Sequence, residues 1–232
     1  MADLLTPAEW TAVALSLRVS FWATLSSFPL GILVALALAR WNFPGKGLLD
    51  GIVLLPLVLP PVVTGYVLLV LFGRRGPIGS FLHETFGITF AFSWTGAALA
   101  CAVMGFPLMV RAIRLAIEAV DPRLEEAAGT LGANRVVTFL VVTLPLALPG
   151  IVAGAILCFA KAMGEFGATI TFVSNIPGET QTIPSAIYAF LQVPGGEPQA
   201  FRLVIVSVAV AMGAVLASEI LARRVARRIG AR

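Results

Sequence analysis

The sequence predicts an all-α integral membrane protein, and three observations carry that expectation. Apolar residues make up 59% of the 232, and only 12% are charged, against roughly 25% in an ordinary soluble domain. The mean hydropathy is +0.96, more than a soluble fold of this length can hide beneath a polar exterior. Apolar stretches also recur at lengths that suit helices, since about 20 helical residues cross some 30 Å of hydrocarbon. Strict alternation of apolar and polar residues is absent, which argues against a barrel. Together these exclude a soluble enzyme, a disordered chain and a secreted disulfide scaffold.

Five stretches are long enough to span: Ala12–Ala39, Leu48–Phe72, Ala91–Ile113, Val136–Ala162 and Phe201–Ala222. They are expected to form a single transmembrane domain over residues 1–232. The first reads as a retained span, because Asp3 and Glu9 precede it and no Lys or Arg occurs before Arg18, whereas a secretory signal needs a positive start. The second carries Pro56, Pro60 and Pro61, the third Pro107, and the fourth Pro145, Pro149, Gly150 and Gly154. Proline removes a backbone donor and kinks a helix. In lipid the freed carbonyls must find partners, so such helices pack inside a bundle or line a watery path. A further, partial span has room within Gly164–Gly196. Trp10, Trp22, Trp41 and Trp94 fall near span ends, as an aromatic belt requires.

Charge sets the orientation. The formal net charge is +4, and five of the sixteen basic residues crowd the last ten positions: Arg223, Arg224, Arg227, Arg228 and Arg232. That pattern suits an anionic membrane surface rather than nucleic acid. Arg40 and Lys46 flank the first short connection, and Arg111, Arg114, Arg123 and Arg135 lie in or beside the connection 114–135. Placing these regions and the tail in the cytoplasm puts the N-terminus outside and the C-terminus inside. Arg74, Arg75 and Arg202 then lie outside, and Arg18 and Lys161 fall within spans. Cys101 and Cys158 sit in apolar runs and read as small core residues. His83 is the lone histidine, and no spacing suggests metal ligands or a cofactor.

The connection 114–135 contains a helix signal. Asp121 can cap a helix that starts with Pro122, and Gly132 is a natural stop. About ten residues result, near 15 Å long. Leu124, Ala127, Ala128 and Leu131 fall at i, i+3, i+4 and i+7 and share one face. Such a helix could lie on headgroups or enter a groove on a soluble partner; its small alanines favour close approach to another backbone.

Glu126-Ala127-Ala128, Gly132 four residues on, and then Leu144-Pro145 resemble the EAA signature of bacterial ABC importer permeases. The resemblance implies the MetI-like permease fold, with this segment as the coupling helix on an ATP-hydrolysing subunit. By that resemblance Glu126, Ala127, Ala128 and Gly132 carry the docking role, and Leu124 and Leu131, which share the face of the two alanines, join them as coupling candidates. Further stretches are similar to the molybdate permeases of that family: 43–46, 55–63, 73–76, 87–94 and 164–180. Sulfate and tungstate permeases are near relatives. The resemblance implies a homodimer, two ATP-binding cassette subunits, an extracytoplasmic molybdate-binding protein, and alternating access. In keeping with this, the chain contains no Gly-x-x-x-x-Gly-Lys-[Ser/Thr] loop to cradle ATP, and no nucleophile elbow or zinc motif. An ion-coupled secondary transporter is the rival, but its usual intramembrane carboxylates are scarce: Asp50, Glu165 and Glu219 all lie near span ends.

The segment Gly164–Gly196 is rich in hydroxyls and amides. A tetrahedral dianion in transit needs donors without strong fixed charge, which would stop its release. Glu165, Thr169, Thr171, Ser174, Asn175 and Thr182 are therefore the candidates for an outer gate and substrate path. An ordered interfacial loop is the other reading. Lys161 and Glu165 stand one helical turn apart and can pair, as a gate switch or as a plain ion pair. Arg18 can snorkel outward. Arg74 and Arg75 read as a contact for an acidic partner, as a lure for anions, or as a solvated turn.

Overall fold

Small residues decide how the long helices of this protein meet. The computed structural model describes residues 5–230, with side-chain surroundings as far as Ala217 and at Ile220. The basic tail from Arg223 onward lies outside those described side chains. Every regular element among the described residues is helical: α1 (Pro7–Arg40), α2 (Lys46–Val58), α3 (Pro61–Phe72), α4 (Pro77–Phe86), α5 (Trp94–Glu118), α6 (Pro122–Thr130), α7 (Arg135–Thr138), α8 (Leu144–Met163), α9 (Gly167–Val173), α10 (Ile183–Leu191) and α11 (Glu197–Gly230). A π-helical turn, Phe139–Thr143, joins α7 to α8 without a break. Four helical runs are long and apolar enough to span a membrane, and α2 with α3 makes a fifth, bent one.

Three helices form the centre. α1 starts with a capping box, in which Thr6 and Glu9 each bond the other's backbone N–H. It buries a seam of small side chains, Ser16, Ser20, Ala23, Ser27, Gly31 and Ala35, at the spacing of one helix face. A Cβ on Gly31 would stand 2.7 Å from Met109 Sδ of α5. α5 and α8 run antiparallel along a second seam. Cys101 Sγ donates to the Ala162 carbonyl at 3.5 Å. A Cβ on Gly105 would meet Cys158 Sγ at 2.6 Å, and one on Gly150 would meet Ala116 Cβ at 2.2 Å. Small residues let backbones close in where lipid gives no hydrophobic drive to associate.

The apolar stretch 48–72 is two helices and not one. α2 and α3 meet at 112°. The cause is local: Pro60 and Pro61 supply no N–H and push Leu59 into extended backbone, ψ 146°. The fourth stretch stays continuous but slips register. Pro145 cannot donate to the ladder, and the turn before it widens, so that Leu144 N–H reaches Phe139 O. α5 runs to Glu118, past the expected end at Ile113, and α11 starts at Glu197, before the expected Phe201.

Two regions carry helices that the sequence reading did not assign. Residues 77–86 form α4, which was not expected. Gly76 and Gly79 fold it back on the end of α3, so closely that a Cβ on Gly79 would stand 2.0 Å from Gly73 O. The segment 164–196, where the sequence leaves room for a partial span, is divided by a loop. It holds two short helices, α9 and α10, of seven and nine residues.

The two ends of the bundle are tied differently. At the end away from α6, Arg202 Nη2 of α11 pairs with the fully buried Glu9 at 2.8 Å. Nearby on α1, Arg18 lies 3.8 Å over the ring of Trp94. Arg202, left outside by the orientation, and Arg18, within the first span, are thus compensated by a carboxylate and an aromatic face.

Candidate functional site

α6 follows its sequence signals closely. Asp121 accepts from the Arg123 N–H at 2.9 Å, and Pro122 occupies the first turn. At the other end Gly132 sits at φ +88°. Its N–H reaches Gly129 O, and the Ala133 N–H reaches Ala128 O. This closure needs a left-handed residue, for which glycine is the cheapest choice.

None of the nine residues of α6 is buried. Leu131 is 89% exposed and Leu124 48%; Glu126 and Ala127 are exposed, and Ala128 is half-buried. An apolar strip on a projecting, well-capped helix is a surface that gains by docking.

Glu125 does something else. Its Oε1 accepts from Arg40 Nε at 3.2 Å, from Arg40 Nη2 at 3.0 Å and from Thr143 Oγ1 at 2.6 Å. Arg40 Nη2 also donates to Val120 O at 3.0 Å. The last residue of α1, the helix α6 and the last residue of the π turn therefore meet at one carboxylate oxygen. Sequence reasoning missed this trio and used Arg40 only as a topology charge. The available signal was angular. Neighbours on a helix point about 100° apart, so Glu125 and Glu126 cannot both face a docking partner.

Beside this site Arg114 binds Asp50 of α2 at 3.1 Å and Glu118 at 2.7 Å. A cavity of about 280 Å³ opens between α2 and α5, lined by Asp50, Val53, Pro107, Arg111, Arg114 and Glu118.

At the other end, α3 and α9 pack with almost no gap. A Cβ on Gly65 would stand 2.5 Å from Ala168 O, and one on Gly167 would stand 2.7 Å from Pro61 Cβ. The broken second stretch and the chain break after α8 thus meet. Glu165 is 2% exposed. It accepts from Lys161 Nζ at 2.7 Å and from the Ala168 N–H at 2.9 Å, so it caps α9 and neutralises a lysine at once.

Two of the candidate gate hydroxyls turn back on their own backbone. Thr169 donates to Phe166 O at 2.9 Å and Thr171 to Gly167 O at 2.8 Å. Thr182 is buried against Ser185, 3.4 Å between hydroxyls. Ser174 is exposed at φ +65°, and Asn175 Oδ1 is buried without a partner among the described residues. The Thr180 hydroxyl, of the same hydroxyl-rich segment but not among the gate candidates, accepts from the Ile176 N–H at 2.9 Å and shapes this loop. Ser16 of α1 accepts from the Ile183 N–H at 2.7 Å and starts α10.

Long apolar helices, one of them bent at a proline break, form the bundle, and a capped helix stands exposed at one end. The chain belongs to the family of binding-protein-dependent transport system inner membrane components, which it matches over residues 27–230; it is a multi-pass inner-membrane protein. It is 63% identical over 227 residues to the molybdenum transport system permease protein ModB of Escherichia coli (strain K12), covering 98% of this chain and 99% of that protein. It is 54% identical to the ModB protein of Haemophilus influenzae, over 96% of this chain and 97% of that one. Its fold matches a crystal structure of a bacterial alginate ABC transporter in complex with its alginate-loaded periplasmic protein. That match has a TM-score of 0.75 at 20% identity, over 95% of this chain and 80% of that one.

Proposed function

We propose that this chain is the membrane-spanning subunit of an ATP-driven importer that carries molybdate into the cytoplasm. The observation that carries this reading is the near full-length 63% identity to a molybdenum transport permease. Two copies form the pathway, two ATP-binding cassette subunits dock on the α6 helices, and an extracytoplasmic binding protein delivers the ion. The exposed face of Leu124, Glu126, Ala127 and Leu131 supports the docking role, because a capped helix with no buried residue offers its whole outer side to a partner. Ala128 and Gly132 complete it, the one allowing close approach and the other closing the helix. ATP binding moves the docked helices together and opens the pathway outward, and hydrolysis resets it. Two global states with different contacts at the docking helix are needed for that.

Glu165, Thr169, Thr171, Ser174, Asn175 and Thr182 form the outer gate in this reading. The meeting of two chain breaks at Pro61 and Gly167 supports it, since irregular backbone at membrane depth belongs where it lines a path or is sealed in protein. Threonine-to-valine changes at Thr169, Thr171 and Thr182 are expected to lower uptake. Unchanged uptake in all three would remove these residues from the gate.

The deciding experiment is uptake of labelled molybdate at nanomolar concentration in cells with and without the chain, with sulfate or tungstate in excess. Loss on deletion, resistant to sulfate, is the expected result. Retained molybdate uptake with lost sulfate uptake would keep the importer and replace its substrate.

A further inference from the structure

The helix α6 projects from the bundle, so any movement imposed on it must enter the membrane part through whatever holds it. Its two ends are ordinary chain connections. Among the described residues, Glu125 is the one side chain of α6 that hydrogen-bonds another element. Its Oε1 gathers both Arg40 donors and Thr143. Arg40 closes the 34-residue α1, and Thr143, 2% exposed, closes the π turn at the head of α8. Arg40 additionally holds Val120 O, just before the Asp121 cap, so the entry to α6 and its first turn are pinned by one guanidinium.

We infer that Glu125, Arg40 and Thr143 form a transmission latch: positioning residues that pass displacement of α6 to α1 and α8 together. This rests on the reading of α6 as the docking helix and adds the route by which its motion enters the spans. Three features fit the role. The acceptor is a single oxygen shared by two elements, so shifting α6 strains both contacts at once. Charge-assisted bonds are short and directional, and hold geometry better than apolar contact. The acceptor's second partner lies in a π turn, a widened and weaker stretch of ladder that can re-register without breaking the helix. α1 then leads to the far end, where its Ser16 starts α10 and its Glu9 holds Arg202 of α11.

Spatial linkage alone does not establish coupling, so the test must read coupling itself. The full permease, with its ATPase subunits and loaded binding protein, is reconstituted in proteoliposomes. Co-purification of the ATPase subunits, ATP hydrolysis with and without binding protein, and molybdate taken up per ATP are measured. Glu125→Gln and Arg40→Met are each expected to retain the ATPase subunits and to lose about tenfold in uptake per ATP. The double variant is expected to be no worse than either single one, because both break the same contact. Thr143→Val removes one donor at nearly constant volume and is expected to lower the ratio about threefold, the size of change a single position makes to coupling; it serves should the charge variants fail to accumulate in the membrane. Exchange of the charges, Arg40→Glu with Glu125→Arg, is expected to recover part of the ratio. Unchanged uptake per ATP in Glu125→Gln or in Thr143→Val overturns the latch. The docking reading is judged separately, by whether Leu131→Asp on the exposed face releases the ATPase subunits.

Discussion

Glycines packed against a neighbouring backbone and helical glycines facing open space should respond to alanine with opposite signs. Gly65→Ala would put a methyl group 2.5 Å from Ala168 O and 2.9 Å from Ala168 Cα, where nothing flexible can give way. The expected cost is about 1–3 kcal/mol of overpacking, seen as a lower unfolding midpoint of the purified protein in detergent. Gly51 lies in α2 with no atom within 4 Å of its added Cβ. Gly51→Ala should raise the midpoint, by up to about 1 kcal/mol of helix propensity. Glu9→Gln tests the tie at the far end. It leaves Arg202 facing a neutral amide, and the expected loss is about 2 kcal/mol. That is below the cost at a fully buried pair because the Arg202 side chain is about a third exposed.

Elements differ in how far their determinants are local, and that decides which were legible. α6 was readable down to its cap and stop, because Asp121, Pro122 and Gly132 act within a few residues of one another. The bend between α2 and α3 was half readable. Prolines 56, 60 and 61 announce a break, but its angle of 112° is fixed by the packing of Gly65 on α9, a hundred residues away in sequence. α9 and α10 were not separable in the sequence, since α10 begins where Ser16 of α1 receives the Ile183 N–H. The hydroxyls chosen for the gate were readable as donors, but not their partners. A threonine bonding the carbonyl one turn back looks the same in sequence as one facing a path. At this scale Glu126→Lys and Gly132→Pro are expected to abolish coupled uptake while the chain still reaches the membrane. Glu126→Lys reverses a charge on the exposed face proposed for docking, and Gly132→Pro removes the φ +88° closure that proline cannot adopt. Uptake and membrane fractionation of the same cells check both. Wild-type uptake by the pair would detach α6 from coupling.

For the whole molecule, the arrangement of charge is a claim about sidedness. The α6 end carries Arg40, Arg114 and Arg123, and the opposite end carries compensated Arg202 and Arg18 together with the exposed Arg74 and Arg75. The two buried cysteines make that claim easy to examine. Cys101 and Cys158 are both fully enclosed between α5 and α8 and their neighbours. A membrane-impermeant maleimide should therefore leave the natural chain unlabelled in intact cells. A cysteine introduced at Arg75 should then react from outside, and one introduced at Leu131 only after the membrane is opened. The natural protein thus comes with a silent background for thiol chemistry, and its orientation can be mapped position by position without first removing either sulfur from the core.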